Sequence, residues 1–202
     1  LVAESPAAAA VGTIDGIRTA IIANGQNFPD AVSAGSLSYA NGLPVIITTP
    51  TALAPQAAQT LKDLGIGQVI IVGAAASVSA SVESAIHGLG ISTLYRAAGS
   101  DRANTSQLLA DWAISNLGFS TTSFVLASGD QSLGGADALA GGPLAGSYSQ
   151  PILVTNTVSA PGAVSGFAAE HRDARAGVTS RGSSNSVSAA ADGVVLGAVR
   201  GT

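Results

Sequence analysis

"IIANGQNFPDAVSAGSLSYANGLPVIITT" (residues 21–49) lies over "VLASGDQSLGGADALAGGPLAGSYSQPILVTN" (residues 125–156) once an insertion of three residues is allowed in the second loop. Ala23, Gly25, Asp30, Ala31, Gly35, Leu37, Pro44 and Thr48 then meet Ala127, Gly129, Asp137, Ala138, Gly142, Leu144, Pro151 and Thr155. Further on, Ala54-Pro55 meets Ala160-Pro161, and "GAAASVSASV" (73–82) meets "GSSNSVSAAA" (182–191). Self-similarity at a long fixed spacing marks one supersecondary unit written twice. We therefore expect two units, over 1–94 and 95–202. Leu1 falls opposite Thr105, so the first unit lacks a counterpart of "YRAAGSDRAN" (95–104), and the chain reads as a piece of a longer precursor or as one whose first residues are missing.

Each unit alternates short β-branched runs with longer Ala-rich stretches. The first predicts strands near 20–24, 44–48, 68–72 and 91–95, and helices near 30–41, 54–64 and 78–88. The second predicts a helix near 102–116, strands near 123–127, 151–155 and 176–180, and helices near 136–148, 161–170 and 187–198. Runs such as "VIIT" and "VIIV" are apolar on both faces, as parallel strands covered by helices on two sides must be. The fold class expected is α/β: two tandem small three-layer units, each a mainly parallel sheet with helices on both faces.

Composition limits what this scaffold can do. The 202 residues are 47% hydrophobic and only 10% charged, with 25 glycines, four Phe, three Tyr and one Trp, so its elements must pack closely through Ala, Val and Gly. The net charge of -4, with Lys62 the single lysine, argues against a broad electrostatic grip on nucleic acid or an anionic membrane. Absence of cysteine rules out a disulfide framework and thiolate metal sites, and the lack of both Cys and Met suits exposure to oxidants outside the cell. No apolar run reaches the roughly 18 residues needed to span a bilayer.

Catalytic constellations are hard to assemble from this chain. Asp30 and Asp137 both sit where a strand passes into a helix, the place where parallel sheets bind ligands. A carboxylate in a first helical turn is equally at home there as a loop-ordering group, and Asn27 and Pro29 fit that reading. Acid/base work wants two titratable groups converging, yet no His, Glu or Lys is repeated beside the two Asp residues. His87 and His171 stand in unrelated contexts and read as surface residues. Ser128 in "ASGD" lacks a nucleophile elbow, "GDQSLGGAD" (129–137) lacks the Lys-Ser/Thr of a P-loop, and neither HExxH nor paired Cys occurs. "GIGQ" (65–68) reads as a helix C-cap. No catalytic residue, cofactor or metal site is expected. Arg96 and Arg102 remain as candidate bidentate contacts for an anion held at a helix start, with a structural pair to Asp101 or Asp137 as the other reading of Arg102.

"RAAGSDRANTSQLLA", then "VLASGD…ADALAGGPLAG", then "QPILVT", then a Gly-containing turn into "SVSAAA", resembles the second type of cell-wall-binding repeat of Gram-positive surface proteins. The first unit carries the same series in "IIANGQNFPDAVSAGSLS", "LPVIITT" and "VIIVGAAASVSASV", so the resemblance covers nearly the whole chain. It implies an extracellular module at the cell wall or surface that binds an anionic secondary wall polymer non-covalently. Such repeats occur in tandem, often three together, while a separate region supplies an activity. The family's Pro-Ile-Leu-Leu stretch, associated with polymer binding, matches Pro44, Val45, Ile46 and Ile47, and again Pro151, Ile152, Leu153 and Val154. Its opening Asp-Arg and Thr match Asp101, Arg102 and Thr105, in the second unit alone. The partners implied are the anionic polymer and further repeats or copies of the chain, in a trimer or higher assembly, with no nucleic acid and no membrane span. The alternative is a self-assembling structural subunit of a surface layer or filament. Membership of a wall hydrolase such as an amidase would concern a parent protein, with its catalytic part outside these residues.

Overall fold

The computed structural model describes residues 10–26, 29–129, 135–156, 158–171, 177–181 and 188–201. It opens with a hairpin of β1 (Thr13–Ile14) and β2 (Ile17–Asn24), whose linking Asp15 and Gly16 have φ of 53° and 78°. Positive φ at both turn positions is the geometry that Asp-Gly favours between twisted antiparallel strands. The chain continues through α1 (Pro29–Ser33), α2 (Gly35–Asn41), β3 (Val45–Thr48), α3 (Pro55–Asp63), β4 (Gln68–Val72), α4 (Ala80–His87) and β5 (Ser92–Ala97). The second half follows with α5 (Arg102–Leu117), β6 (Ser123–Ser128), α6 (Gly135–Ser147), β7 (Ile152–Thr155), α7 (Gly162–Glu170), β8 (Gly177–Arg181) and α8 (Ala189–Arg200).

Two sheets result. In the first, the parallel strands run β3-β2-β4-β5, with Ile21 paired to Val45 on one side and to Ile70 on the other, and β1 joins antiparallel to the start of β2. The second runs β7-β6-β8, all parallel, with Val125 paired to Ile152 and Thr179. Strands β2, β4 and β6, apolar and buried over residues 20–23, 69–72 and 124–127, occupy the interior of their sheets, as strands buried on both faces must. Pro44 and Pro151 stand at the same place in the two halves, each just before an edge strand and each offering its carbonyl, to Ile21 N at 2.8 Å and to Val125 N at 2.9 Å. An edge position needs no N–H from the proline.

The α/β class and the alternation of elements follow the expectation. Two elements differ: the short antiparallel strand β1 adds to those expected, and the helix expected over 30–41 is broken at Ala34 into α1 and α2. This break lets α1 and α2 face different surroundings, with Val32 against the second sheet and Leu37 against the first. The "GSSN" that opens the repeated Val-Ser block of the second half, and Asn27, lie outside the described residues.

Burial explains why the halves hold together. On one face of the first sheet, Ile22 and Ile71 pack with Leu61 of α3 and with Val82 and Ile86 of α4. On the other, Ile21, Ile70 and Val72 meet Leu37 of α2 together with Leu109 and Ala113 of α5. That same helix turns Ala103 and Ala110 toward Phe124, Leu126 and Leu153 of the second sheet, beside Phe167 and Val195. Helix α5 is thus apolar on two sides and is shared by both sheets. Ser106, on α5, also accepts the backbone N–H of Val154 at 2.9 Å, so a helix side chain satisfies part of β7's edge.

Helices α2 and α6 cross at glycines that the repeat alignment pairs. A Cβ on either Gly35 or Gly142 would come within 3.2 Å of the other's Cα, and one on Gly146 would lie 2.7 Å from the Ser36 carbonyl oxygen. Gly146→Ala is expected to cost about 1–3 kcal/mol by overpacking backbone against backbone. Ser149 aligns with Gly42, and the two share left-handed φ values of 49° and 65°. Ser149→Gly is expected to stabilise by about 1 kcal/mol, since only a residue without Cβ escapes the steric cost there. Urea unfolding curves of the two variants check both signs.

Candidate functional site at the ends of the parallel strands

Ligands of open parallel sheets gather beyond the C-terminal ends of the strands. Here those ends converge at the seam between the two sheets. Asp30, in the first turn of α1 after β2, is buried and bonded by the Ser77 hydroxyl from the loop that follows β4. Gly73, at φ 117°, lets that loop pass: a Cβ there would stand 2.8 Å from an Asp30 carboxylate oxygen. Arg102, first residue of α5, brings its charge near the same carboxylate and donates from Nη1 to the Gly129 carbonyl after β6. Gly129 again has to be small, for its Cβ would fall 2.6 Å from Arg102 Cδ. One carboxylate, one hydroxyl and one guanidinium therefore tie together loops from both sheets.

Neighbouring groups are occupied in the same structural way. Asp101 caps α5, accepting from Asn104 N at 2.8 Å, and is itself exposed. Buried Thr105 accepts from Gly99 N at 3.2 Å. Arg96 donates to the carbonyls of Gly73 and Val78 at 3.0 and 2.9 Å and forms an ion pair of 2.9 Å with Glu83. It is a clamp on α4 and the β4 loop, with little left for an anion. Burial pulls the Glu83 carboxyl upward, yet hydrogen bonds from Thr93 and Arg96 and the charges of Arg96 and His87 outweigh it and hold it below 4.5. His87 bonds Thr93 across 2.9 Å at the surface, and His171 lies against Phe167, 4.0 Å from Asp111.

The two Pro-centred runs differ in surroundings. Pro151, Ile152, Leu153 and Val154 are all buried. In the first half Ile46 is buried and Pro44 partly so, whereas Val45 and Ile47 point outward from the edge strand. Asp137 belongs to the backbone of α6, and its side chain lies outside the described residues. Sequence reasoning found Asp30 and Arg102 but not Ser77, whose partner is 47 positions away. Nor did it find Ser106; a hydroxyl in a helix interior is the only signal for it.

Burial holds the Asp30 carboxyl above its ordinary 3.8, against the opposing pull of the Ser77 bond and the Arg102 charge. With the folded value above the unfolded one, the native state binds this proton more tightly. Its contribution is greatest below pH 3.8 and declines as pH rises through the raised value. Asp30→Asn is neutral throughout, so the stability of the parent chain relative to this variant should fall as pH rises from below 3.8 toward neutrality. Chemical denaturation across that range checks it; a relative stability that climbs with pH contradicts it.

Comparison with known proteins fits this architecture. The family model of cell wall binding domain 2 (CWB2) matches residues 3–83 and again 96–192. The N-acetylmuramoyl-L-alanine amidase LytC of Bacillus subtilis (strain 168) is 36% identical over 141 residues, which are 70% of this chain and 27% of LytC. The chain thus spans about a quarter of the length of that curated relative. Among solved structures, Cwp6 from Clostridium difficile superposes with a TM-score of 0.77 at 26% identity, over 90% of this chain and 28% of Cwp6. Cwp8 from Clostridium difficile shares the fold, with a TM-score of 0.70 at 21% identity over 89% of this chain and 29% of Cwp8. Two tandem family matches over two parallel sheets joined at one seam make this chain a member of the cell wall binding domain 2 family.

Proposed function

We propose that this chain is a non-catalytic module that anchors a surface or secreted protein, non-covalently, to an anionic secondary polymer of a Gram-positive cell wall. Its repeat units are 1–94 and 95–202. The observation that carries this reading is the tandem match of two wall-binding segments, 3–83 and 96–192. The chemistry of the seam supports a binding role over turnover: Asp30, Ser77 and Arg102 satisfy one another and the backbone, leaving no free base beside a nucleophile there. The amidase activity named for LytC belongs to a protein of which this chain matches 27%, and we assign it to other parts of that relative.

Polymer contacts are assigned to the loops around Asp101, Arg102 and Thr105, where the start of a 16-residue helix favours an anion. Asn27, Asp30 and Asp137 order those loops. The buried Pro151–Val154 run acts behind the surface by fixing the loop that follows β7, and Pro44 and Ile46 do the same behind β3. Val45 and Ile47 are outward but apolar, a chemistry suited to packing rather than to an anion. A second reading, self-assembly into a surface layer or filament, is favoured by the exposed Tyr39, Ile47, Leu139 and Tyr148.

Sedimentation with purified walls tests the anchoring reading. The chain should co-sediment with intact walls, and chemical removal of the secondary polymer should abolish retention. Retention that ignores polymer removal contradicts it.

A further inference from the structure

Helix α5 has a third side besides the two that it gives to the sheets. Asn104, Gln107, Leu108, Asp111 and Trp112 recur on it at helical spacing, and all are partly exposed. Against this side lies Tyr95 of β5, its ring stacked on Trp112 at 5.0 Å with 9° between the planes. The Tyr95 hydroxyl donates to the Leu108 carbonyl at 3.1 Å, which fixes the ring on the helix. The core pairs its aromatics otherwise, with buried Phe124 and Phe167 edge to face at 90°. A flat stack left partly open among amides and a carboxylate has the make-up of a platform for a polar ligand.

The polar groups beside the stack are positioned and still keep open sites. Asp111, whose side chain is 40% exposed, accepts from the Gln107 side chain and stands with Oδ1 4.0 Å from His171 Nε2 at the end of α7. His171 is fixed in turn against the Phe167 ring, at 4.3 Å. Burial holds the Asp111 carboxyl above 3.8; the Glu170 charge adds to that, and His171 and Gln107 oppose it. The fold thus keeps a carboxylate where its ionised form is disfavoured, which is commoner at sites than in scaffolding. Trp112 gives its carbonyl to Asn116 Nδ2 at 2.8 Å, and among the described residues its indole N–H meets no acceptor. An acceptor and a donor therefore flank the rings.

We propose that this patch binds an uncharged hexopyranose unit of a glycan, with the Tyr95–Trp112 stack as its platform and Asp111 as the acceptor for its hydroxyls. The face of an aromatic ring is negative and takes the weakly positive C–H groups on one side of the sugar, while a carboxylate held at the edge of the ring bonds two hydroxyls at once. Gln107 and the Trp112 indole N–H supply further partners. Asp111 and Glu170 repel phosphate and carboxylate groups, so the ligand is a neutral sugar and not an anion. Trp112 follows Arg102 along the same helix by about 15 Å. This site is therefore separate from the loops assigned to the anionic polymer, and the proposal does not rest on that assignment.

Titration of the parent chain with cellotriose and with chitotriose, both uncharged, tests it through the emission of Trp112, the sole tryptophan. At least one of the two should shift that emission saturably, with a dissociation constant of about 1 mM, as a small open platform allows. Asp111→Asn should weaken the binding about tenfold, the scale of one charge-assisted hydrogen bond. It should not lower the urea midpoint at neutral pH, because Asn replaces a carboxylate whose charge burial disfavours. A purely structural Asp111 would move stability and leave binding alone. No saturable change with either sugar overturns the proposal, and so does a saturable change that Asp111→Asn leaves at its parent strength. Neither result bears on retention by walls, which the co-sedimentation measurement reads separately.

Discussion

Everything in this molecule is arranged around a helix with two apolar sides. A helix at the surface buries one stripe and leaves the other polar. Helix α5 instead gives Leu109 and Ala113 to the first sheet and Ala103 and Ala110 to the second. Small residues on the second side let the helix approach closely, and Tyr95 stacks on Trp112 at 5.0 Å to extend the first side. At its N-terminus Arg102 reaches across the seam to the Gly129 carbonyl. The two repeats are therefore not beads on a string. Each needs a surface that the other supplies.

Such sharing carries an implication for the loops that we assign to the polymer. They stand where α5 begins, so their geometry depends on packing from both sheets at once. Asp30 is kept at the seam despite the cost of burying a carboxylate, offset by Ser77 and the Arg102 charge. A buried group of this kind fixes where loops sit, which suits a surface that must hold its shape for a polymer chain.

Much of the fold was legible in the residues. Strands such as "VIIV" declare themselves by apolar character on both faces, and the duplicated Pro-centred runs locate the two edge strands. The Asp15–Gly16 hairpin was equally available from its dipeptide, but the two-residue β1 is too short for a periodicity to reveal it. The break at Ala34 has no breaker residue beyond Gly35, since the helix parts in order to serve two sheets. The site was legible only in part. Asp30 and Arg102 stand out as repeated or family-like positions, whereas Ser77 and Ser106 act through contacts between distant segments that no local pattern records. Arg96 looked available for an anion because sequence hides the carbonyls of Gly73 and Val78 that it bonds.

The central claim is that a shared helix makes both repeats one cooperative body, and Trp112 provides a direct test. As the sole tryptophan, it sits on α5 against β5 and reports on the seam, whereas far-ultraviolet circular dichroism reports on all helices and strands. Urea unfolding followed by both signals should give coincident single transitions with one midpoint. Two separated transitions, with tryptophan fluorescence changing while half of the dichroism persists, would mean that the repeats stand independently and that α5 does not unite them.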